Sequence, residues 1–370
     1  MSQASSIFAS EPINKGRQLE LDVLKGLAIL FMLLVHCLEA LSEWPPEPSI
    51  PVRIIEFLGS APAAPVFMFA LGVGIVYSRR STARGLFSRG LQLLIFAYVL
   101  AFFRDFLTEY AWYLRTGDEA YIESSITYLL GVDILQFAGL TFLFFSLGAK
   151  LKFGSLHYVV AAMLSAGANL LAPYIQAESA AANALVGLFW GTSEYTWFPF
   201  FTWIIYPIAG YVFGGYLIRC SDKRRFYQAC LAVGIPALVL FRLYAQLQGL
   251  AFGWYTTEYW HHDLVGNLAL VAFAVSWTGI GFFLAGALPQ WVTNTLIRWS
   301  RNITTMYCCH WMILTWSAVF IGEPLSLPWI LVFFIVLVPI SDYGTVRYLS
   351  IKERVLERFQ SSRRGRPAAV

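Results

Sequence analysis

About ten runs of roughly 20 predominantly apolar residues follow one another along the chain, with little sequence between them. A helix that crosses a bilayer needs about 20 such residues. Because lipid offers the backbone no hydrogen-bond partners, runs of this length fold as helices. Only 13% of the 370 residues are charged, about half the usual share in a soluble domain. We therefore expect an all-α membrane protein, a polytopic bundle of about ten transmembrane helices near 22–42, 62–78, 88–106, 126–149, 155–174, 198–218, 229–248, 264–287, 303–321 and 327–347.

Basic and acidic loops alternate along the chain. Lys and Arg collect at 15–17, 79–89, 150–152, 219–225, 298–301 and after 347, whereas the intervening loops are acidic. The positive-inside rule places the basic loops in the cytoplasm. An even number of spans then puts both termini there as well. We expect one membrane domain over 1–350 and a basic cytoplasmic tail over 351–370.

The first predicted span carries four polar side chains, Asp22, Lys25, His36 and Glu39. Such residues are costly inside a membrane and often functional. His36 lies eleven positions after Lys25, which turns the helix by about 20° beyond three full turns and puts the imidazole roughly 16 Å deeper. Asp22 lies on the same stripe, one turn before Lys25. Two alternatives stay open, an interfacial Asp22–Lys25 ion pair and a purely structural His36.

The segment 21–30, followed by Val35 and His36, resembles the opening helix of the membrane-bound acyltransferases. These include bacterial acyltransferase family three, the osmoregulated periplasmic glucan succinyltransferases and the heparan-α-glucosaminide N-acetyltransferases. The family-three signature is an Arg or Lys, ten intervening residues and a His, which Lys25 and His36 match. Further resemblances follow in order at 64–72, 131–136, 197–204 and 301–310.

One departure separates the chain from the glucosaminide branch. That branch has its catalytic His in the first outer loop, and here the loop 41–60 contains none. The resemblance therefore favours His36 as the working imidazole. It implies transfer of an acyl group, with acetyl preferred, from cytoplasmic acyl-CoA (acetyl-CoA) to a sugar, glycan or glycolipid at the outer face. It implies neither a metal nor a nucleic-acid partner, and it favours a bacterial inner membrane.

The resemblance also suggests roles for particular residues. Lys25, supported by Asp22, Arg79 and Arg80, would hold the CoA phosphates. His36 would act as general base, or carry the acyl group itself. The other candidates are Asp133, Gln136 and His310 for catalysis, and Glu39, Trp197, Asn302 and Tyr307 for substrate binding. Asp133 has two possible roles, since it could orient His36 or pair with Arg104 or Arg242.

Aromatic residues are frequent in the outer loops. They form either an interfacial belt or a stacking surface for sugar rings. They are Trp44, Trp112, Tyr113, Trp190, Tyr195, Trp197, Trp254, Tyr255, Tyr259 and Trp260. The nearby cluster His261-His262-Asp263 is read as a polar helix start, with a metal site as the less favoured alternative.

A transporter or flippase for a small anion or a lipid-linked sugar is the main rival function. It would explain the spans and the buried charges equally well. The chain shows no internal repeat of the kind on which many transporter folds are built. That absence, together with the Lys25–His36 spacing, favours the acyltransferase.

Overall fold

Helices form almost all of the protein. The computed structural model describes residues 7–43, 46–171, 175, 179–191, 196–248 and 257–364. Within these ranges lie seventeen α-helices and one π-helical turn (Phe102–Phe106), and no strand. The α-helices are α1 (Leu19–Leu41), α2 (Ile50–Gly59), α3 (Ala64–Tyr77), α4 (Ala83–Ala101), α5 (Leu107–Thr116), α6 (Ala120–Leu129), α7 (Ile134–Lys150), α8 (Ser155–Asn169), α9 (Ala180–Gly187), α10 (Phe200–Trp203), α11 (Ile205–Leu217), α12 (Lys223–Leu247), α13 (Thr257–Trp260), α14 (Leu264–Ala287), α15 (Gln290–Arg301), α16 (Ile303–Ile321) and α17 (Leu327–Arg364).

The all-helical membrane fold is confirmed. Seven segments of the described chain are long and apolar enough to cross a membrane, namely Leu19–Leu41, Ile50–Tyr77, Ala83–Thr116, Phe200–Leu217, Lys223–Leu247, Leu264–Ala287 and Leu327–Glu357. The other three predicted spans coincide with α7, α8 and α16. Since α7 has 17 residues and α8 has 15, both are short for a bilayer. The number ten therefore stays a prediction.

The predicted span 126–149 is wrong as one continuous helix. The chain breaks between α6 and α7, where Asp133 adopts an extended backbone conformation and its carboxylate accepts a hydrogen bond from the Ile134 amide. Asp is a preferred residue at this position because it pairs an amide that the helix leaves free. Asp133 therefore stands at a helix start rather than inside a span.

The first helix lies at the centre of the bundle. It packs against α2, α3, α14, α15, α16 and α17. Helix α12, in contrast, is largely exposed. Only 17% of its apolar 18-residue stretch is buried inside the protein, against 61% for that of α1. Because α1 is enclosed by protein, its polar stripe can be matched by other side chains and need not face lipid.

Two glycines bring α3 and α11 into close contact. A Cβ atom at Gly72 would overlap the carbonyl of Pro207, and one at Gly210 would overlap the carbonyl of Phe69. Small residues at such positions let membrane helices approach backbone to backbone. This packing fixes one wall of the central cavity described below.

Helices α4 and α5 are continuous through the π-helical turn at Phe102–Phe106. Such a turn widens the helix locally and is frequent at functional sites. It carries Arg104, which is only 6% exposed, and Asp105.

The last helix, α17, continues through the predicted tail as far as Arg364. Its 38 residues span about 57 Å, well beyond a hydrocarbon core of about 30 Å. Residues 365–370 of the predicted tail lie outside the described chain. The tail boundary stays a prediction.

Candidate functional site

A cavity of about 1310 Å³ runs through the middle of the bundle. One end, called here the basic end, is lined by Lys25, Arg80, Arg89 and Arg301. The other, called the aromatic end, is lined by Tyr128, Trp197, Phe198, Tyr259 and Trp260. A site for one small ligand usually measures about 300–1,000 Å³. The cavity therefore has room for more than one such ligand.

His36 lies between these two ends and contacts a second histidine. Its Nδ1 atom is 3.0 Å from Nε2 of His310, and the two ring planes lie within 13° of each other with centroids 5.2 Å apart. His310 is fully buried, and its Nδ1 is 3.2 Å from the carbonyl oxygen of Met306. The sequence singled out both imidazoles but gave no reason to expect them in contact, because His310 lies 274 positions after His36.

Trp311 holds the His36 ring from one side. The two rings stack with centroids 4.2 Å apart. The guanidinium of Arg104 lies over the same indole, 4.9 Å from its centroid, which is within the range of a cation–π contact. Trp311 also lines the cavity. Sequence reasoning missed this residue, although its place directly after His310 was a signal.

Arg104 connects the central charged groups. It forms a two-bond pair with Asp105, at 2.8 Å for each bond, and an ion pair with Asp133 at 2.5 Å. Tyr307 donates a hydrogen bond of 2.6 Å to the same Asp133 oxygen. Of the two roles that the sequence left open for Asp133, the contacts favour pairing with Arg104. Asp105 was not among the predicted site residues.

Glu39 lies one helical turn beyond His36 in the cavity wall. Its Oε2 is 3.9 Å from Nε2 of His36, too far for a direct hydrogen bond. An atom placed between them could contact both groups. Tyr307, also predicted to bind the substrate, lines the cavity from α16.

Asp22 organises the basic end. Its buried carboxylate pairs with Arg17 and, at 3.2 Å, with Lys25, and accepts a hydrogen bond of 2.7 Å from Ser300. The Asp22–Lys25 ion pair, which the sequence left open as an alternative, is therefore present. A smaller cavity of about 380 Å³ opens beside it and shares Lys25 and Arg301 with the central one.

Three predicted residues are less central. Gln136 is buried and donates to the carbonyl of Gly131, 3.3 Å away, and does not line the cavity. Arg79 does not line it either, whereas Arg80 does. Asn302 lines the cavity, but its amide donates to the carbonyl of Arg298 at 3.0 Å.

The aromatic end contains Trp197, stacked on Tyr128 at a centroid distance of 6.1 Å and an interplanar angle of 6°. Tyr259 and Trp260 line the same end. Of the aromatic residues named from the sequence, Trp44, Tyr195, Trp254 and Tyr255 lie outside the described chain.

The His261-His262-Asp263 cluster starts helix α14. Asp263 accepts a hydrogen bond from the Gly266 amide at 2.8 Å, as the helix-start reading predicted. His262 bonds to the Tyr259 carbonyl and the Tyr206 hydroxyl, and burial lowers the pKa of His262 to about 4. Among the described residues, no group of three His, Cys, Asp or Glu side chains could hold a metal ion.

A comparison with protein families agrees with the resemblance seen in the sequence of the first helix. The model of acyltransferase family three, described as an acyltransferase domain, matches residues 18–344. No curated protein and no solved structure matches the chain. The matched region includes α1 with Lys25 and His36, the π-helical turn and α16 with His310. The protein therefore belongs to acyltransferase family three and is an integral membrane acyltransferase.

Proposed function

We propose that the protein transfers an acyl group, with acetyl preferred, from cytoplasmic acyl-CoA to a sugar or glycan at the outer face. One observation carries this proposal. His36 lies in the wall of a cavity that is cationic at one end and aromatic at the other. Since the positive-inside rule puts basic segments in the cytoplasm, the basic end faces the donor and the aromatic end faces the acceptor.

The donor would enter at the basic end. CoA carries phosphates, and Lys and Arg bind phosphate through charge-assisted hydrogen bonds. Lys25, Arg80 and Arg301 line this end. Asp22 keeps the Lys25 ammonium at the cavity edge through their ion pair. The thioester would then extend along α1 toward His36, which lies roughly 16 Å further along the helix.

The acceptor would enter at the aromatic end. An aromatic face packs well against the apolar face of a sugar ring, and Trp197 offers such a face beside Tyr128. Glu39 lies between this end and His36 and would accept a hydrogen bond from a neighbouring hydroxyl or amine of the acceptor. A bilayer-spanning enzyme of this kind would act on glycans or glycolipids outside the cytoplasm.

His36 would serve as general base. The acceptor oxygen or nitrogen attacks the thioester carbonyl carbon while Nε2 of His36 takes its proton. The tetrahedral intermediate collapses, the carbon–sulfur bond breaks, and the CoA thiolate takes the proton back from His36.

A covalent route is the alternative within the same function. His36 could attack the thioester itself and carry the acyl group as an acyl-imidazole. That route predicts ping-pong kinetics, whereas direct transfer requires both substrates in the cavity together. The size of the cavity favours direct transfer, and initial-rate kinetics with both substrates varied distinguishes the two.

The proposal is tested with the purified full chain in detergent, radiolabelled acetyl-CoA and a panel of sugars and glycolipids. We expect transfer by the wild type, a loss of about 10²–10⁴-fold in kcat for His36→Ala, and a KM for acetyl-CoA raised about tenfold for Lys25→Ala. His157→Ala is the matched control, because His157 is exposed and does not line the cavity. A folded wild type that neither binds nor consumes acetyl-CoA would overturn the proposal. Flux of a substrate without covalent change would favour the transporter.

A further inference from the structure

The contact between His36 and His310 determines where each ring carries its proton. Nδ1 of His310 faces the carbonyl oxygen of Met306 at 3.2 Å. A carbonyl oxygen only accepts hydrogen bonds, so this nitrogen must carry hydrogen. In a neutral imidazole the other nitrogen is then an acceptor. Nε2 of His310 therefore has a lone pair directed at His36.

The same reasoning extends to the next ring. Nδ1 of His36 is 3.0 Å from Nε2 of His310, and since the latter is an acceptor, Nδ1 of His36 must donate. The remaining nitrogen of His36, Nε2, then carries no hydrogen. It points toward Glu39, whose Oε2 is 3.9 Å away, and His36 lines the cavity at this point. The lone pair on Nε2 of His36 thus faces the space where an acceptor would lie.

We propose that His310 is the positioning residue of this acyltransferase, holding His36 in the tautomer whose Nε2 takes the acceptor's proton. The proposal rests on the general-base function of His36 proposed above and names its mechanism. His310 would touch neither substrate. The hydrogen bond from Nδ1 of His36 persists when Nε2 is protonated, because Nδ1 donates in both forms.

The surrounding charges are compatible with this assignment. The titratable groups facing the two rings are Glu39 on the same helix, Arg104 and Asp105 on the π-helical turn, Asp133 before α7, and Tyr307 on α16. Of these, Glu39 lies on the Nε2 side of His36. Arg104 is paired with Asp105 and Asp133. Their negative charges therefore offset the effect of its positive charge on the two rings.

Two variants of His310 separate positioning from packing. In His310→Gln the side-chain carbonyl can still accept the hydrogen bond from His36, whereas the similarly long His310→Met cannot. We expect His310→Met to lower kcat by about 10²-fold or more with the KM for acetyl-CoA unchanged, and His310→Gln to stay within about tenfold of the wild type. Size exclusion and thermal unfolding check that both variants fold. Equal kcat values for two folded variants would overturn the proposal.

A spectroscopic measurement tests the tautomer without any enzymatic activity. The chain has 5 histidines, so labelling them with ¹⁵N gives few ring signals, and the His36→Ala spectrum identifies those of His36. We expect a protonated Nδ1 and an unprotonated Nε2 in the wild type at neutral pH, and loss of this preference in His310→Met. A proton on Nε2 in the wild type overturns the positioning role even if transfer is observed. The expected tautomer in a protein that does not transfer from acetyl-CoA overturns the proposed function instead.

Discussion

Arg104 is a buried charge whose partners explain how the membrane domain tolerates it. Asp105 and Asp133 both pair with its guanidinium, and Tyr307 accepts a further bond of 3.1 Å. Removing one member of a buried network leaves uncompensated charge behind. The side chain therefore contributes to stability as well as to the electrostatics of the site.

We expect Arg104→Met to lower the free energy of unfolding by about 3–5 kcal/mol, because two carboxylates lose their shared partner. Thermal unfolding in detergent measures the change. The control is Arg225→Met, since Arg225 pairs with Asp222 at the surface with 72% of its side chain exposed, where ion pairs contribute little. Similar losses for both variants would contradict the buried network.

His262 gives the folded protein a pH dependence. Burial lowers its pKa to about 4, whereas an unfolded chain has a His pKa of about 6.5. Between these values only the unfolded state takes up the proton, so stability falls as the pH drops from about 6.5 to 4. Above pH 6.5 the contribution is constant.

We therefore expect the wild type to lose up to about 3 kcal/mol through this group across that window, and His262→Gln to show a shallower decline. Thermal unfolding between pH 7.5 and pH 4.5 measures both slopes. Since the variant also loses hydrogen bonds, the slope rather than the absolute melting temperature is compared. Parallel curves would argue against a neutral, buried His262.

The sequence could single out individual residues but not most of their partners. Lys25 and His36 were found because a helix repeats every 3.6 residues, which ties their spacing to one face. The pairing of His36 with His310 joins segments far apart in the chain, and the sequence left Asp133 with His36, Arg104 and Arg242 as alternative partners. Such pairings depend on how the helices pack, which one sequence does not determine. Trp311 was missed although it directly follows His310 in the sequence.

At the scale of secondary-structure elements, the sequence predicted the positions of most helices. Each predicted span overlaps at least one helix of the described chain, because long apolar runs leave the backbone no other way to satisfy its hydrogen bonds in lipid. The break at Gly131–Asp133 was missed since apolar residues flank it on both sides. The π-helical turn at Phe102–Phe106 leaves no mark in the hydrophobic pattern.

The close contact of α3 with α11 leads to a prediction at this scale. We expect Gly72→Ala to destabilise the protein by about 1–3 kcal/mol, because the added methyl group meets the Pro207 backbone and the helices must separate. Gly215→Ala on α11 is the matched control, as nothing lies within 4 Å of a Cβ there. Since Ala favours helix over Gly by about 1 kcal/mol, the control should be neutral or slightly stabilising. A neutral Gly72→Ala would refute the backbone contact.

At the scale of the whole molecule, the cavity connects segments of opposite character. Its basic end lies beside the loops that the positive-inside rule assigns to the cytoplasm, and its aromatic end lies beside the loops on the other side. His36 stands between them on α1, which packs against six other helices. The proposed function would have a donor and an acceptor approach this imidazole from opposite faces of the membrane.

Sidedness of the reaction tests this account most directly. The protein is reconstituted in one orientation into sealed vesicles, and acetyl-CoA and a membrane-impermeant sugar acceptor identified in the detergent assay are supplied on the same or on opposite sides. We predict transfer only when acetyl-CoA is on the side of the basic loops and the acceptor is on the other, and no transfer by His36→Ala in any arrangement. Transfer that requires both substrates on one side would contradict the account.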